Sequence, residues 1–304
     1  MYAIRRSAML IMAGAIIIWG GCQTPQQSLI NLKTKEPLVP EATLPDYAVG
    51  EYFTFDDGTT AMVTEISGEL VTWEYNNGTV SKRYRNFIIP ALTWTSAKKH
   101  SKAKTTANAD MLWPLAVGKR SQYDFQRVIS KHDGTDATRL SRSWNCTVEG
   151  TMRVSVTAGT FNTYVISCRR YSNTSHKWRA TRSYYYAPDL GHYVIRKDTY
   201  RGRPDKKREL VSYGFNSTVI PKQDQIELNR TLQKVLSNNA DGRAGTWISR
   251  TGELSAVLTP ISSFTGRNGD ECRDYHSVYN VNGRIRKNVR KVCRQPNGHW
   301  QRIE

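Results

Sequence analysis

Apolar and polar residues alternate in short runs along most of this chain, and turn residues punctuate the runs. Residues 51–55, 60–66, 69–75 and 80–85 are β-branched or aromatic stretches separated by Asp57-Gly58, Ser67-Gly68 and Asn77-Gly78. Period-two runs between such turns predict a short antiparallel meander. A second set of strands is predicted at 121–129, 144–156, 161–170, 179–186, 192–199 and 208–214, with tight turns at Ala158-Gly159 and Pro188-Asp189-Leu190-Gly191. Between the sets, residues 96–110 hold no aromatic and no large aliphatic side chain and read as a linker. Ala48-Val49-Gly50 precedes Phe55-Asp56 at the spacing by which Ala116-Val117-Gly118 precedes Tyr123-Asp124. That echo is either a repeated way of starting a strand or a coincidence.

The period changes once. Leu228, Leu232, Val235 and Leu236 fall on one face of a helix over residues 225–237, which Asn238, Asn239 and Gly242 stop. Strands then resume. The predicted fold class is mainly β: multi-domain antiparallel meanders and hairpins, with one short amphipathic helix before a C-terminal β unit. The predicted divisions are a signal segment at 1–21, a flexible tether at 22–46, a small β unit at 47–95, the linker at 96–110, an antiparallel β domain at 111–215 and a helix-plus-β domain at 225–304.

The last hairpin can be worked out residue by residue. Asn282-Gly283 is a strong two-residue hairpin signal. Counting outward from it, Cys272 faces Cys293 directly, on a non-hydrogen-bonded position where a disulfide fits. One face then carries Cys272, Asp274, His276, Val278, Ile285, Lys287, Val289, Lys291 and Cys293. The other carries Arg273, Tyr275, Ser277, Tyr279, Arg284, Arg286, Arg290 and Arg294. Five arginines cannot be buried without partners. The disulfide face is therefore expected to point inward and the Arg/Tyr face outward, either as a solvated strand or as an anion-binding platform. The second local cysteine pair is Cys146–Cys168. A loop at Ala158-Gly159 leaves these two out of register, so a bulge near Gly150 or a non-hairpin pairing is required.

Composition and the N-terminus set the compartment. The 38% hydrophobic and 10% aromatic content excludes a wholly disordered chain, and no apolar run reaches the roughly 18 residues of a membrane span. Arg5 and Arg6 precede an uncharged apolar run at residues 8–19 that ends in Trp19-Gly20-Gly21-Cys22. This segment resembles a bacterial lipoprotein signal, with Trp19 standing where Leu is usual. The resemblance implies cleavage before Cys22 and lipidation of its thiol. Gln23 in place of Asp implies the outer membrane. Setting Cys22 aside leaves four of the five cysteines, an even number suited to two disulfides outside the cytosol.

The C-terminal residues carry a second resemblance. Trp247, Thr251-Gly252, Pro260, Cys272-Arg273-x-Tyr275, Gly283 and Cys293-Arg294-Gln295-Pro296-x-Gly298-x-Trp300 resemble the C-terminal domain of the bacterial seventeen-kilodalton surface-antigen lipoproteins. The glycine zipper that often follows the lipidated cysteine in that family is absent here. Val154-x-Val156-x-Ala158-Gly159-Thr160-Phe161 and Tyr186-Ala187-Pro188-x-Leu190-Gly191 are similar to uncharacterised bacterial envelope β domains. These resemblances imply a location and a structural, antigen-like or binding role.

Catalytic signals are missing from the pattern. His100, His132, His176, His192, His276 and His299 are scattered, with no HExxH or Cys/His ligand spacing, and no GxSxG, P-loop or GxGxxG occurs. No catalytic residue, metal ligand or cofactor is nominated. Charge is the remaining signal. The chain carries a formal +18; residues 105–215 contribute +10 and residues 216–304 contribute +6. The excess concentrates at Arg201, Arg203, Lys206, Lys207 and Arg208, and at Arg284, Arg286, Arg290 and Arg294 beside Tyr275 and Tyr279. Such patches attract polyanions. Export excludes nucleic acid and favours lipopolysaccharide, peptidoglycan or anionic headgroups. The expected function is an outer-membrane-anchored lipoprotein with a structural or surface-antigen role. The alternatives are an accessory lipoprotein docking onto an envelope protein, and an unrecognised hydrolase.

Overall fold

Twelve strands close into an antiparallel barrel in which each strand pairs with its sequence neighbours. They are β1 (Glu51–Phe55), β2 (Thr60–Ser67), β3 (Leu70–Tyr75), β4 (Val80–Tyr84), β5 (Thr93–Thr95), β6 (Lys99–Thr105), β7 (Arg120–Lys131), β8 (Thr138–Val156), β9 (Gly159–Ser172), β10 (Trp178–Ala187), β11 (His192–Tyr200) and β12 (Arg203–Phe215). The first and last strands close the ring, with Tyr52 opposite Gly214 and Phe53 opposite Tyr213. The computed structural model describes residue 39, residues 42–266 and residues 269–303 of the chain. The signal segment, Cys22 and most of the tether expected at 22–46 lie outside the described residues.

The mainly β expectation holds, but its divisions do not. The units expected at 47–95 and 111–215 are two arcs of one ring, and the linker expected at 96–110 contains β6. That strand pairs with β5 and β7 on its two sides. It needs no large apolar side chain because the lumen is filled from elsewhere, so small residues such as Ser101 and Ala103 suffice on its inner face. The tether reading also ends too late: Val39, Ala42 and Leu44 pack in the barrel core.

Inward side chains from the strands, among them Phe53, Val63, Trp73, Tyr123, Ile166 and Tyr184, meet three irregular segments that enter the lumen. These bring Tyr47 from before β1, Phe87–Ile89 from after β4, and Met111–Leu115 from before β7. Tyr123 Oη donates to the Ile88 carbonyl and Asn86 Nδ2 to the Met111 carbonyl, so the plug is hydrogen-bonded as well as packed. Outward positions are polar, as at Lys102, Lys104, Gln122, Asp124 and Gln126. A lumen filled largely by apolar side chains, with a polar exterior, is the reverse of a lipid-facing barrel.

The Ala-Val-Gly echo is a repeated way of starting a strand. Gly50 and Gly118 both take φ near +90°, at 94° and 88°. Each donates its N–H across to a neighbouring strand, to Val63 and Val148 respectively, at 2.8 Å in both cases. Glycine adopts such a φ without the Cβ clash that other residues suffer.

After the barrel come a short 3₁₀ turn at Ser217–Val219, then α1 (Lys222–Asn238), then β13 (Gly245–Ile248), β14 (Leu254–Thr265), β15 (Glu271–Val281), β16 (Arg284–Arg294) and β17 (Trp300–Arg302), which form an antiparallel sheet in chain order. The helix buries Leu228, Val235 and Leu236 as its periodicity predicts. It begins earlier than predicted because Pro221, which cannot donate a backbone hydrogen bond, stands at its N-cap. The last hairpin has the predicted register throughout, with Cys272 opposite Cys293 and Val281 opposite Arg284. Asn282 and Gly283 both have positive φ, 51° and 76°, as a two-residue I′ turn requires.

Both cysteine pairs are disulfides, each with Cα atoms 4.0 Å apart. For Cys146–Cys168 the register shifts between Val148 and Gly150, which is the bulge of the two alternatives. The loop itself is Thr157-Ala158, since Val156 pairs with Gly159, so one extra residue is enough to align the cysteines.

The buried titratable groups of the lumen include a histidine. His192 stacks on Trp73 at 5.6 Å, and its Nδ1 lies 2.9 Å from Tyr47 Oη. Burial, reinforced by Arg83 and Arg286, holds its pKa well below the ordinary histidine value. A histidine kept neutral in the fold contributes stability that is fully present above its unfolded pKa of about 6.5 and is lost as pH falls below it. Urea melts from pH 7 to pH 5 are expected to show a decline in stability of up to about 1.4 kcal/mol per pH unit from this group. His192→Gln should flatten that slope while lowering stability at pH 7.

Candidate functional site

The Arg/Tyr face of the C-terminal hairpin, expected outside, is inside. Arg286 is 1% exposed, and Tyr275 and Tyr279 are buried. The disulfide face is the outer one, with Ile285 at 56% and Val289 at 60% exposure. The rule that buried arginines need partners stands; the partners come from elsewhere. Glu51, at the start of β1, is 0% exposed and lies 2.7 Å from Arg286 and 3.2 Å from Arg284. Arg286 also donates to the Leu190 carbonyl at 2.7 Å, and the Ala48 N–H donates to Glu51 Oε2 at 2.9 Å. Arg273 caps α1 by donating to the carbonyls of Leu236 and Asn239, at 2.7 and 2.8 Å. These are C-terminal carbonyls that a helix cannot satisfy itself.

Hydrogen bonds complete the seam between barrel and sheet. Asn288 Nδ2 donates to the Phe215 carbonyl at 3.0 Å, and Tyr52 Oη donates to Asn288 Oδ1 at 3.3 Å. Gly214 lies beneath them: a Cβ there would stand 2.1 Å from Asn288 Oδ1. Tyr279 packs on Phe215, ring centroids 5.2 Å apart, and Tyr275 joins Leu236, Val292 and Trp300 around the helix. Of the hairpin arginines nominated from sequence, Arg284 and Arg286 are therefore joint residues. Arg290 is half-buried, and exposed Arg294 pairs with Glu271 at 3.3 Å.

The second basic cluster lies on a turn and the strand that follows it. Arg201 sits in the turn and Arg203, Lys206, Lys207 and Arg208 lie on β12, paired with β11. The first four are exposed; Lys207 pairs with Glu209. Arg208 pairs with Asp57 and lies 5.1 Å over the Phe55 ring.

A third basic cluster lies within the barrel. A cavity of about 240 Å³ is lined by side chains from β3, β4, β5, β7, β10 and β11. Strands so far apart in the ring can share a cavity only across the lumen. Four guanidinium groups face it, Arg83, Arg127, Arg182 and Arg196. Asp198, 3% exposed, pairs with Arg182 and, at 2.8 Å, with Arg196. Arg83 and Arg127 have no carboxylate partner among the described residues. Arg127 donates to the Ala91 carbonyl, and burial first, then Arg83 and Arg182, push its guanidinium down to about 10, so it stays charged at neutral pH. Ser81 Oγ, Arg83 Nε and Arg127 Nε are buried with no hydrogen-bond partner. Among the described residues, no group of three or more His, Cys, Asp or Glu side chains could hold a metal ion.

Neither Glu51 nor this internal set was nominated from sequence. A signal was available: Arg127 follows Tyr123 and Phe125 at period two, so an inward-facing arginine was legible in β7.

No known protein-family profile matches the chain. The C-terminal region is similar to the 17 kDa surface antigens of Rickettsia, the resemblance read from its Cys-Arg and Gly-x-Trp motifs. It is 29% identical over 80 residues to that of Rickettsia prowazekii, covering 26% of this chain and 50% of the antigen. For Rickettsia bellii the identity is 29% over 82 residues, covering 27% and 52%. The chain spans about half the length of the curated relatives it matches. Among solved structures, it is similar to the hypothetical lipoprotein YmcC of Escherichia coli K12, with TM-score 0.37 and 11% identity over 53% of this chain and 82% of that one. A protein from Bacteroides fragilis, described as exported with a YmcC-like fold, gives TM-score 0.37 and 11% identity over 57% and 99%.

Removing the central carboxylate should unlatch the seam. Glu51→Gln leaves Arg286 buried without a counter-charge and is expected to cost about 3–5 kcal/mol in urea unfolding. Adding Arg286→Met should recover much of that loss, which a role in folding unrelated to the pair would not allow. Gly214→Ala should also destabilise, since its methyl group would displace Asn288 from the Phe215 carbonyl.

Proposed function

We propose that this chain is a lipid-anchored lipoprotein of the bacterial outer membrane, with a structural or surface-antigen role and no catalytic step, which binds anionic envelope components such as lipopolysaccharide or peptidoglycan. The observation that carries this reading is the antigen-like C-terminal sheet, cross-linked by Cys272–Cys293 and latched onto a strongly basic barrel. Two disulfides suit an oxidising compartment. The lipoprotein-type segment ending at Cys22 supports the anchor, and one acyl chain alone would bind a membrane only marginally. The exposed Arg201, Arg203, Lys206 and Lys207 form the outer basic surface that supports polyanion binding.

Labelled palmitate should be incorporated into the wild-type chain, which should fractionate with the outer membrane, and not into Cys22→Ser. A wild-type product without label would remove the anchor from this reading. Binding to lipopolysaccharide should weaken steeply between 50 and 200 mM salt, concentrations about which screening changes strongly. Charge reversal to Glu at Arg201, Arg203, Lys206 and Lys207 together should reduce it, and undiminished binding would exclude that surface.

A further inference from the structure

The outer basic residues are solvated and partly paired, as any soluble basic protein tolerates. The cavity inside the barrel is different. Four guanidinium groups and one carboxylate leave a surplus of three positive charges around a space of about 240 Å³. All four arginines are half-buried; uncompensated charge drawn partly out of water is costly, and a fold retains it most readily where a ligand of opposite sign completes the site. The donors are also incomplete: Ser81 is 4% exposed, faces the cavity, and its hydroxyl has no partner. Tyr184 and Tyr193 line the same wall.

We propose that this cavity binds a phosphomonoester, gripped by Arg83 and Arg127, with Ser81 donating to a phosphoryl oxygen. A carboxylate would offset one of the three surplus charges, whereas a phosphomonoester carries about −1.5 to −2 and presents three acceptor oxygens. Guanidinium forks match such oxygens in pairs. Arg182 and Arg196 are already engaged by Asp198, which holds them in place, and Arg127 gives one N–H to the Ala91 carbonyl, which leaves Arg83 and the remaining N–H groups of Arg127 as the available donors. The volume is below the roughly 300–1,000 Å³ of pockets for drug-sized ligands, so the site takes a phosphoryl group and the small moiety next to it rather than a polymer. The ester is carried either by a soluble sugar phosphate or by a lipid headgroup. This inference deepens the proposed binding role by giving it a site and a ligand class, and it does not require the lipid anchor.

Calorimetric titration of the full chain in detergent at low salt tests it, with glucose 6-phosphate in one arm and water-soluble short-chain phosphatidic acid in the other. Short-chain phosphatidylcholine and glucose are the controls. Saturable one-to-one binding in either arm, absent from the controls, is expected. The arm that binds names the source of the ester. Arg127→Gln should weaken it at least about tenfold, and Ser81→Ala, which alters no charge, should weaken it several-fold with an unchanged melting profile. Neutralising Arg201, Arg203, Lys206 and Lys207 should leave one-to-one sugar-phosphate binding intact. Binding in neither arm overturns the inference, as does binding that survives Ser81→Ala and Arg127→Gln but is lost with the outer residues. Because lipopolysaccharide binding through the outer surface is measured separately, either reading can fail while the other stands.

Discussion

A buried carboxylate must be satisfied where it lies, and Glu51 is satisfied by two arginines from a strand more than two hundred residues away. Much follows from that requirement. It turns the Arg/Tyr face of the C-terminal hairpin toward the barrel and fixes how β16 lies against the end of β12. It places Asn288 over Gly214, where only a hydrogen side chain leaves room. The outer face of the sheet is then the one with the lysines, Ile285 and Val289. The antigen-like sheet and the barrel are thus joined by complementary charge at the centre of a hydrogen-bonded seam, rather than by a flexible linker.

The barrel obeys a parallel constraint. A ring of twelve strands encloses more space than its own inward side chains fill, so irregular segments are drawn into the lumen. Phe87, Trp113 and Tyr47 pack around His192 and Tyr186 and make the interior a core rather than a channel. Part of the lumen is left polar, and there arginines outnumber carboxylates. The strong positive charge of the chain is therefore divided between an outer surface that water screens and an inner cavity that it screens much less.

Local rules read well wherever a single turn or period controls the outcome. Asn282-Gly283 set the whole register of the last hairpin, because a two-residue loop with two positive φ values admits one pairing. The mismatch between Cys146 and Cys168 left either a bulge near Gly150 or a non-hairpin pairing, and the register shifts between Val148 and Gly150. The helix face was legible from four apolar positions. The 96–110 segment was misread because a strand whose inner neighbours already fill the core needs no apolar residue of its own. The Arg/Tyr face was misread because the counter-charge lies in β1, beyond any local window. Only its partners, not its composition, decide whether an arginine can be buried.

The order of strands, the paired cysteines, the amphipathic helix and the abundance of positive charge were determined by the sequence alone, since each depends on neighbours within a few dozen residues. Closure of the ring, the direction in which the hairpin faces and the gathering of Arg83, Arg127, Arg182 and Arg196 around one cavity were decided only by the tertiary structure. These depend on which distant backbone edges meet and which buried charges then find each other, and neither is encoded in any local period.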